Sequence, residues 1–156
     1  MSTSESPGSV IEMSRLADLT GTHLGYTAWR EMTQEQVDQF ADVTDDHNYI
    51  HVDVERAKAS PFGGTVAHGF LTLSLVAPIS QALLHVSDAG TAINYGLDRV
   101  RFPAPLPVGA RWRGGVEIAE VAEVPGGKQV KARVTVEVEG GEKPVLVADS
   151  LIRLYA

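Results

Sequence analysis

The sequence predicts an α+β fold in which an antiparallel sheet of about five strands wraps around one long central helix. The helix is predicted because residues 66–85 carry apolar side chains on nearly every side of a helical wheel, which is typical of a helix inside a protein. The sheet is predicted because long runs rich in valine and isoleucine follow residue 90.

The 156 residues show no internal repeat and no second linker. Residues 1–10 are rich in serine and are expected to form a flexible leader, so that residues 11–156 form one domain. A chain of this length buries roughly 70% of the surface that its extended form exposes, and it can build a full core without disulfide bonds.

A short strand and a capped helix are predicted ahead of the central helix. Residues 25–32 fit the strand. Thr33 is a typical helix N-cap and Gln36 completes a capping box, so a helix is expected to begin here and to end near Thr44. After a polar loop, Asp53 is expected to cap a further helix of one or two turns.

Five strands are predicted after residue 90. Apolar residues from Val130 to Val138 alternate with polar ones, so this strand has one buried and one exposed face. Gly126-Gly127 and Gly140-Gly141 fit hairpin turns between the three long strands. The predicted strands cover residues 92–96, 97–102, 112–124, 129–139 and 144–155.

Composition excludes several classes of function. Twenty acidic residues against 13 lysines and arginines give a net charge of −7, whereas nucleic-acid binding needs a basic face, so no such partner is expected. The absence of cysteine excludes thiol nucleophiles and cysteine-ligated metals. No signal peptide is visible and the longest nearly apolar run, residues 70–79, is too short to cross a bilayer. A cytoplasmic protein without membrane contact is expected.

Titratable residues concentrate in the polar loop. Asp46 and His51 lie five positions apart, and a turn can bring the carboxylate and the imidazole to one small site. Such a pair offers a proton acceptor and a group that titrates near neutrality, which suits acid–base chemistry on a water molecule. Asn48 lies between them and is a candidate to hold the water or a substrate amide.

The second candidate element is Ala67-His68-Gly69-Phe70, at the start of the central helix. The N–H groups in the first turn of a helix have no internal partner and suit a developing oxyanion. Gly69 has no Cβ, so a substrate carbonyl can approach closely. His68 is interpreted as a cap or as a substrate-side residue. A loop acid–base pair beside these donors suits adding or removing water β to a thioester carbonyl.

These residues resemble the (R)-specific enoyl-coenzyme A hydratases of the MaoC-like dehydratase family. Residues 46–51 match the family pattern Asp-x-Asn-Pro-x-His with Tyr49 in place of proline, and Gly69 follows within Ala-His-Gly-Phe. Residues 94–96 and 101–109 resemble the family's strand and turn. The resemblance runs from about residue 24 to the C-terminus, and it implies a hot-dog fold.

The resemblance also implies a function. Asp46 and His51 would flank the catalytic water, Asn48 would orient the site, and the Gly69 N–H would bind the thioester oxygen. The expected reaction adds water to a trans-2-enoyl thioester to give an (R)-3-hydroxyacyl thioester, or reverses this step, without a cofactor. The thioester is carried by coenzyme A or by an acyl carrier protein. A homodimer with the acyl pocket near its interface is expected.

Two other functions fit the same scaffold, namely a hot-dog acyl-CoA thioesterase and a non-catalytic protein that binds acyl thioesters. The presence of Asp46 and His51 favours an enzyme, and the loop pattern favours a hydratase over a thioesterase. A metal site at His47 and His51 requires a helical stretch, and the turn-forming residues around Asn48 argue against one. No metal is therefore expected.

Four arginines fall in residues 99–113, a stretch that contains no acidic residue. This pattern suits the phosphates of coenzyme A or the acidic face of a carrier protein. Solvent-facing strand positions that bind no ligand give the same pattern, so both interpretations stay open. The four candidates are Arg99, Arg101, Arg111 and Arg113.

Overall fold

The computed structural model describes residues 10–156, in which an antiparallel sheet packs against two consecutive helices. The predicted leader lies outside the described residues, except that Val10 begins the first strand. In chain order the elements are β1 (Val10–Ile11), a 3₁₀ helix (Met13–Leu19), β2 (His23–Tyr26), β3 (Arg30–Glu31), α1 (Gln34–Thr44), α2 (Tyr49–Val52), α3 (Val54–Ala57), α4 (Gly69–Ser74), α5 (Val76–Leu83), β4 (His85–Val86), β5 (Thr91–Arg101), β6 (Arg111–Val124), β7 (Gly127–Val138) and β8 (Leu146–Tyr155).

The main sheet has six strands in the order β2-β6-β7-β8-β5, with β3 also paired to β6. All of these pairs are antiparallel, which confirms the α+β prediction and adds one strand to the expected five. Four of the six strands follow residue 90, because the two strands predicted over 92–102 are one, and the other two are β2 and β3 in the region of the strand predicted at 25–32. Strands β1 and β4 form a separate parallel pair.

Strand β5 forms one edge of the sheet along its whole length. The two short strands predicted over 92–102 are in fact this single strand, which pairs with β8 from Thr91 to Arg101. Its register shifts between Asn94 and Gly96 and again between Leu97 and Arg99. These bulges interrupt the alternation of side chains, which explains why the sequence pattern indicates two segments.

Two glycine hairpins connect the long strands as predicted. Gly126 has a φ of 80° and Gly140 has a φ of 77°, both in the left-handed region that glycine adopts without a steric penalty. They join β6 to β7 and β7 to β8, whose ladders run almost without interruption.

The core lies between the sheet and α5. The inward face of β7 is fully buried from Val130 to Val136, and Ile79 of α5 packs against the same layer. Gly114 on β6 lies directly under Ile79, where a Cβ would overlap the isoleucine side chain. The helix and the sheet therefore approach more closely here than any larger residue at 114 would allow.

The predicted continuous helix over 66–85 is wrong in three respects. Residues 66–68 are extended, because Val66 forms a bridge with Pro107 instead of entering the helix. The helix is interrupted at Leu75, since Pro78 has no N–H for the Ser74 carbonyl. One side is exposed, with Phe70 at 71%. No helix among residues 10–156 is both long and apolar enough to cross a membrane.

The predicted capping box is present at the start of α1. The Thr33 side chain accepts a hydrogen bond from the Gln36 N–H, and the Gln36 side chain accepts one from the Thr33 N–H. The helix ends at Thr44 as expected, and Asp53 caps α3 by accepting from the Arg56 N–H. Local sequence therefore determines both boundaries of the helix that precedes the candidate site.

Candidate active site

The candidate site begins where α1 ends. Asp45 closes the helix in the left-handed conformation, with a φ of 61°, and so turns the chain away from the helix axis. Asp46 follows on the surface, where its Oδ1 accepts a hydrogen bond of 3.4 Å from the Asn48 N–H. This turn places the Asp46 carboxylate beside the buried end of α2.

His51 lies on α2 and is only 8% exposed. Its Nδ1 lies 2.6 Å from the Val66 carbonyl oxygen, so Nδ1 carries the proton and donates it. The other ring nitrogen, Nε2, then holds a lone pair, as a general base requires. Gln34 anchors this segment by donating from Nε2 to the His51 carbonyl at 2.7 Å.

The pKa of His51 is lowered from its ordinary value, chiefly because burial penalises the charged imidazolium. The Val66 carbonyl acts in the opposite direction, His68 lowers the pKa further, and the Asp46 carboxylate raises it. Burial prevails, so His51 is neutral at physiological pH and its Nε2 can accept a proton.

The structure adds His68 to the predicted pair. One polar side-chain atom from each of Asp46, His51 and His68 lies within 4.8 Å of the others. The His51 and His68 rings are stacked with centroids 3.8 Å apart, and the His68 Nε2 lies 3.0 Å from the Asp46 carbonyl oxygen. His68 is the N-cap residue of α4, as one of its two interpretations has it, but its side chain makes no capping hydrogen bond.

Asn48 is the N-cap residue of α2, and its predicted role toward water or substrate stays a prediction. Its Oδ1 accepts a hydrogen bond of 3.4 Å from the Ile50 N–H, and it caps α2. Tyr49 is the first residue of α2, the position where a helix readily accepts proline. The Arg56 guanidinium lies 4.0 Å from the Tyr49 ring centroid and holds α2 against α3. The loop therefore keeps its shape without the family's proline.

Gly69 is the first residue of α4 and directly follows His68. The first hydrogen bond of this helix runs from the Thr72 N–H to the His68 carbonyl, so the earlier N–H groups precede the helical ladder. A Cβ at position 69 would lie 3.5 Å from the Phe102 ring, an ordinary contact distance. Packing within the chain therefore does not require glycine here.

His47 lies outside the site. Its Nε2 is 2.9 Å from the Asp42 carboxylate and its Nδ1 is 3.5 Å from that of Asp45, and the side chain is about half exposed. The spacing of His47 and His51 has no helical meaning, because α2 begins only at Tyr49. In the cluster of Asp46, His51 and His68, one ring nitrogen of each histidine already faces a main-chain carbonyl.

Comparison with known families shows which family this chain belongs to. A family model described as a MaoC like domain matches residues 15–140. The chain belongs to this MaoC-like family.

Relatives of this MaoC-like chain extend along nearly its whole length. It is 48% identical over 142 residues to the 3-hydroxyacyl-thioester dehydratase Z of Mycobacterium tuberculosis, a match covering 90% of this chain and 94% of the relative. It is 43% identical over 133 residues to nodulation protein N of Rhizobium leguminosarum bv. viciae, covering 83% and 82%.

Among solved structures, the monoamine oxidase regulatory protein from Archaeoglobus fulgidus superposes with a TM-score of 0.78 at 26% identity. The superposition covers 94% of this chain and 96% of the other. The predicted family and hot-dog fold are confirmed.

The four arginines of the MaoC-like chain do not form one surface. Arg111 and Arg113 lie on β6 and pair with Glu139, directly after β7, and with Glu137 of β7. Arg99 and Arg101 lie on β5, and strands β7 and β8 separate β5 from β6 in the sheet. The stretch of sequence that contains no acid is therefore divided between two places, and half of its charge is paired.

An apolar cavity of about 310 Å3 lies between α1, α4 and the β3–β6 region. Its walls include Phe40, Val43, Leu71 and Trp112. The Phe40 ring also lies 4.9 Å from the His68 ring, so one aromatic side chain contacts the candidate site and lines the cavity.

Proposed function

We propose that this chain is an (R)-specific enoyl-thioester hydratase that also catalyses the reverse dehydration of (R)-3-hydroxyacyl thioesters. The observation that carries the proposal is the buried His51, which has its Nδ1 on the Val66 carbonyl and a ring nitrogen within 4.8 Å of the Asp46 carboxylate. The 48% identical relative is named a 3-hydroxyacyl-thioester dehydratase, which supports the same reaction class.

In the proposed mechanism a water molecule lies between the Asp46 carboxylate and the His51 Nε2. Its oxygen attacks C3 of the enoyl thioester, one member of the pair takes a proton from it, and the π electrons move to the thioester oxygen as an enolate. The enolate then collapses as C2 takes a proton from the same site, so one water is added in total. We propose His51 as the base, because its burial disfavours the charged imidazolium and its Nε2 is left to accept a proton.

Gly69 is proposed to stabilise the enolate through its N–H, at the start of α4 and next to His68. A Cβ at this position would meet Phe102 only at an ordinary contact distance, so packing within the chain does not explain the glycine. Close approach of a substrate does explain it, which supports this role. Asn48 is proposed to act indirectly, by capping α2 and so fixing the direction of His51.

The substrate is proposed to be an acyl thioester of coenzyme A or of an acyl carrier protein. The apolar cavity beside Phe40 supports an acyl chain. Arg99 and Arg101 on the exposed strand β5 are the better candidates for phosphate contacts, since Arg111 and Arg113 are paired with glutamates. The reaction transfers only the elements of water, so the proposal includes no cofactor and no metal.

A homodimer is proposed from the exposed edge of the sheet. Strand β5 presents eleven residues at this edge, and Tyr95, Ile93 and Leu97 are 56%, 47% and 43% exposed. A long edge with apolar side chains is a template for pairing, and a second copy related by a two-fold axis would cover it. The cytoplasm is the proposed location.

The test is the loss of enoyl absorbance when crotonyl-CoA is added to the purified protein. We expect hydration to the (R) product, and Asp46→Asn should lower kcat/KM by about 100-fold or more, the usual contribution of a positioned acid–base group. The matched control is Asp42→Asn, an exposed carboxylate near the end of α1, which should retain activity.

Two outcomes would overturn the proposal. Release of free thiol from butyryl-CoA without hydration of crotonyl-CoA would indicate a thioesterase. Binding of both thioesters with neither reaction would indicate a non-catalytic binding protein.

A further inference from the structure

We propose that His68 is a positioning residue that holds both members of the acid–base pair, His51 by ring stacking and Asp46 through its main-chain carbonyl. The role rests on the proposed function, since it concerns how that site is held. It goes beyond the pair itself, because His68 contacts each partner without taking the place of either.

The contacts of His68 come from three separate parts of the chain. Its ring stacks on His51 at 3.8 Å with an angle of 26° between the ring planes, and its Nε2 lies 3.0 Å from the Asp46 carbonyl oxygen. Phe40 of α1 contacts the same ring at 4.9 Å. The His68 carbonyl accepts hydrogen bonds from the N–H and the hydroxyl of Thr72. The main chain of His68 is therefore held by α4 while its ring contacts the loop and α2.

The hydrogen bond determines which nitrogen of His68 carries the proton. The Asp46 carbonyl can only accept, so Nε2 must donate, and the lone pair is left on Nδ1. That Nδ1 is buried and has no hydrogen-bond partner among the described residues. An unpaired buried nitrogen costs stability that an apolar side chain of the same shape would avoid. Packing alone therefore does not account for an imidazole at this position.

Each contact restrains a different degree of freedom of the pair. The donor from His68 fixes the main chain at Asp46, directly after the left-handed turn at Asp45. The stacked ring covers one face of His51, while the Val66 carbonyl holds its Nδ1. A shift of about 1 Å in a catalytic group can cost about 100-fold in rate, so these restraints bear directly on turnover.

The titratable groups that face His51 are Asp46 from the loop and His68 from the start of α4. The neighbouring parts of α1 supply Gln34 and Phe40, which do not titrate. Burial lowers the pKa of His51, and the His68 ring contributes in the same direction. Removing this ring should therefore move the titration of His51 back toward its ordinary value.

Two variants separate the two contacts. His68→Phe keeps a flat ring against His51 but loses the donor to Asp46, whereas His68→Gln keeps an N–H donor and loses the ring. We expect each to lower kcat for crotonyl-CoA by about 10- to 100-fold while KM changes by less than about threefold. His85→Gln, at an exposed histidine on β4, is the control and should match the wild type.

The second readout is nitrogen-15 NMR of the imidazole rings, which needs no turnover. In the wild-type protein we expect the proton of neutral His68 on Nε2 and that of His51 on Nδ1. Both variants remove the charge of His68, so the pKa of His51 should rise toward 6.5 in each, and by less in His68→Phe because the phenyl ring keeps His51 buried.

The outcomes separate failure of this proposal from failure of the proposed function. A wild-type His68 with its proton on Nδ1 would overturn the positioning role, even if both variants failed to fold. Folded variants with the kcat and the His51 titration of the wild type would also overturn it. A wild-type protein that fails to hydrate crotonyl-CoA but shows the expected protons and the shift in His68→Gln would contradict only the proposed function.

Discussion

His47 and His51 lie four residues apart in one loop, and the structure gives them opposite environments. His47 is exposed and hydrogen-bonds Asp42, and that bond together with nearby carboxylates raises its pKa. His51 is buried against Val66 and His68, and burial lowers its pKa. The same side chain therefore has a raised pKa where it is exposed among carboxylates and a lowered pKa where it is buried.

The difference arises from how the chain turns between the two histidines. The left-handed Asp45 ends α1, and His47 stays beside the last turn of that helix. Asn48 then starts α2, which directs His51 inward to the extended segment at Val66. The residue type supplies an ability to titrate near neutrality, and the local backbone determines whether that ability serves catalysis.

The largest expected effect is on turnover. His51→Ala should lower kcat/KM for crotonyl-CoA by about 100- to 10,000-fold, because it removes the Nε2 lone pair from the site. His47→Ala should change it by less than about twofold, since surface substitutions away from a site have small effects. Equal losses in both variants, measured on proteins with the same circular dichroism spectrum, would contradict the distinction.

The pH dependence should differ in sign between the two residues. Because His51 must be neutral to accept a proton, kcat/KM should fall about tenfold per pH unit below its lowered pKa. Below pH 6.5 the unfolded chain protonates at position 51 before the folded one does, so His51 makes the fold less stable as the pH falls through its folded pKa. The raised pKa of His47 gives stability that is complete below pH 6.5 and is lost as the pH rises through its folded pKa.

Proton NMR titration of the two imidazole rings measures both values directly. We expect a pKa above 6.5 for His47 and one below 6.5 for His51. The reverse order would show that burial does not control the site.

A smaller effect is expected at the turn itself. Asp45→Ala should lower the free energy of unfolding by about 1–2 kcal/mol, because the left-handed conformation is unfavourable for a residue with a Cβ and no local hydrogen-bonding group. Asp45→Asn is the matched control and should stay close to the wild type, since asparagine adopts this conformation readily. Urea denaturation gives both values, and an equal loss in the two variants would point to the lost charge instead.

Features that depend on neighbouring residues were predictable from the sequence. The capping box of Thr33 and Gln36, the Asp53 cap and the glycine hairpins use contacts within a few positions, and all of them are present. Asp46 and His51 could be predicted as a pair because a short turn suffices to bring them together.

Features that depend on distant segments were not predictable in the same way. His68 belongs to the site because the extended residues 66–68 lie along α2, which no local pattern indicates. The one sequence signal for His68 was its position directly before Gly69, a predicted site residue. The separation of Arg99 from Arg113 follows from the strand order. Strands β5 and β6 follow each other in sequence, but β7 and β8 lie between them in the sheet. The break at Leu75 had a visible cause in Pro78, but the apolar pattern continues across it.

The extended segment before α4 also connects the site to the segment between β5 and β6. The Val108 N–H donates to the Thr65 carbonyl and the Ala67 N–H donates to the Leu106 carbonyl. Apart from such anchors, the groups that hold His51 come from residues 34–68, whereas the sheet joins strands far apart along the chain. The loop that carries Asp46 and His51 is thus held mainly by contacts close in sequence, and we expect it to open locally at a lower free energy than the sheet.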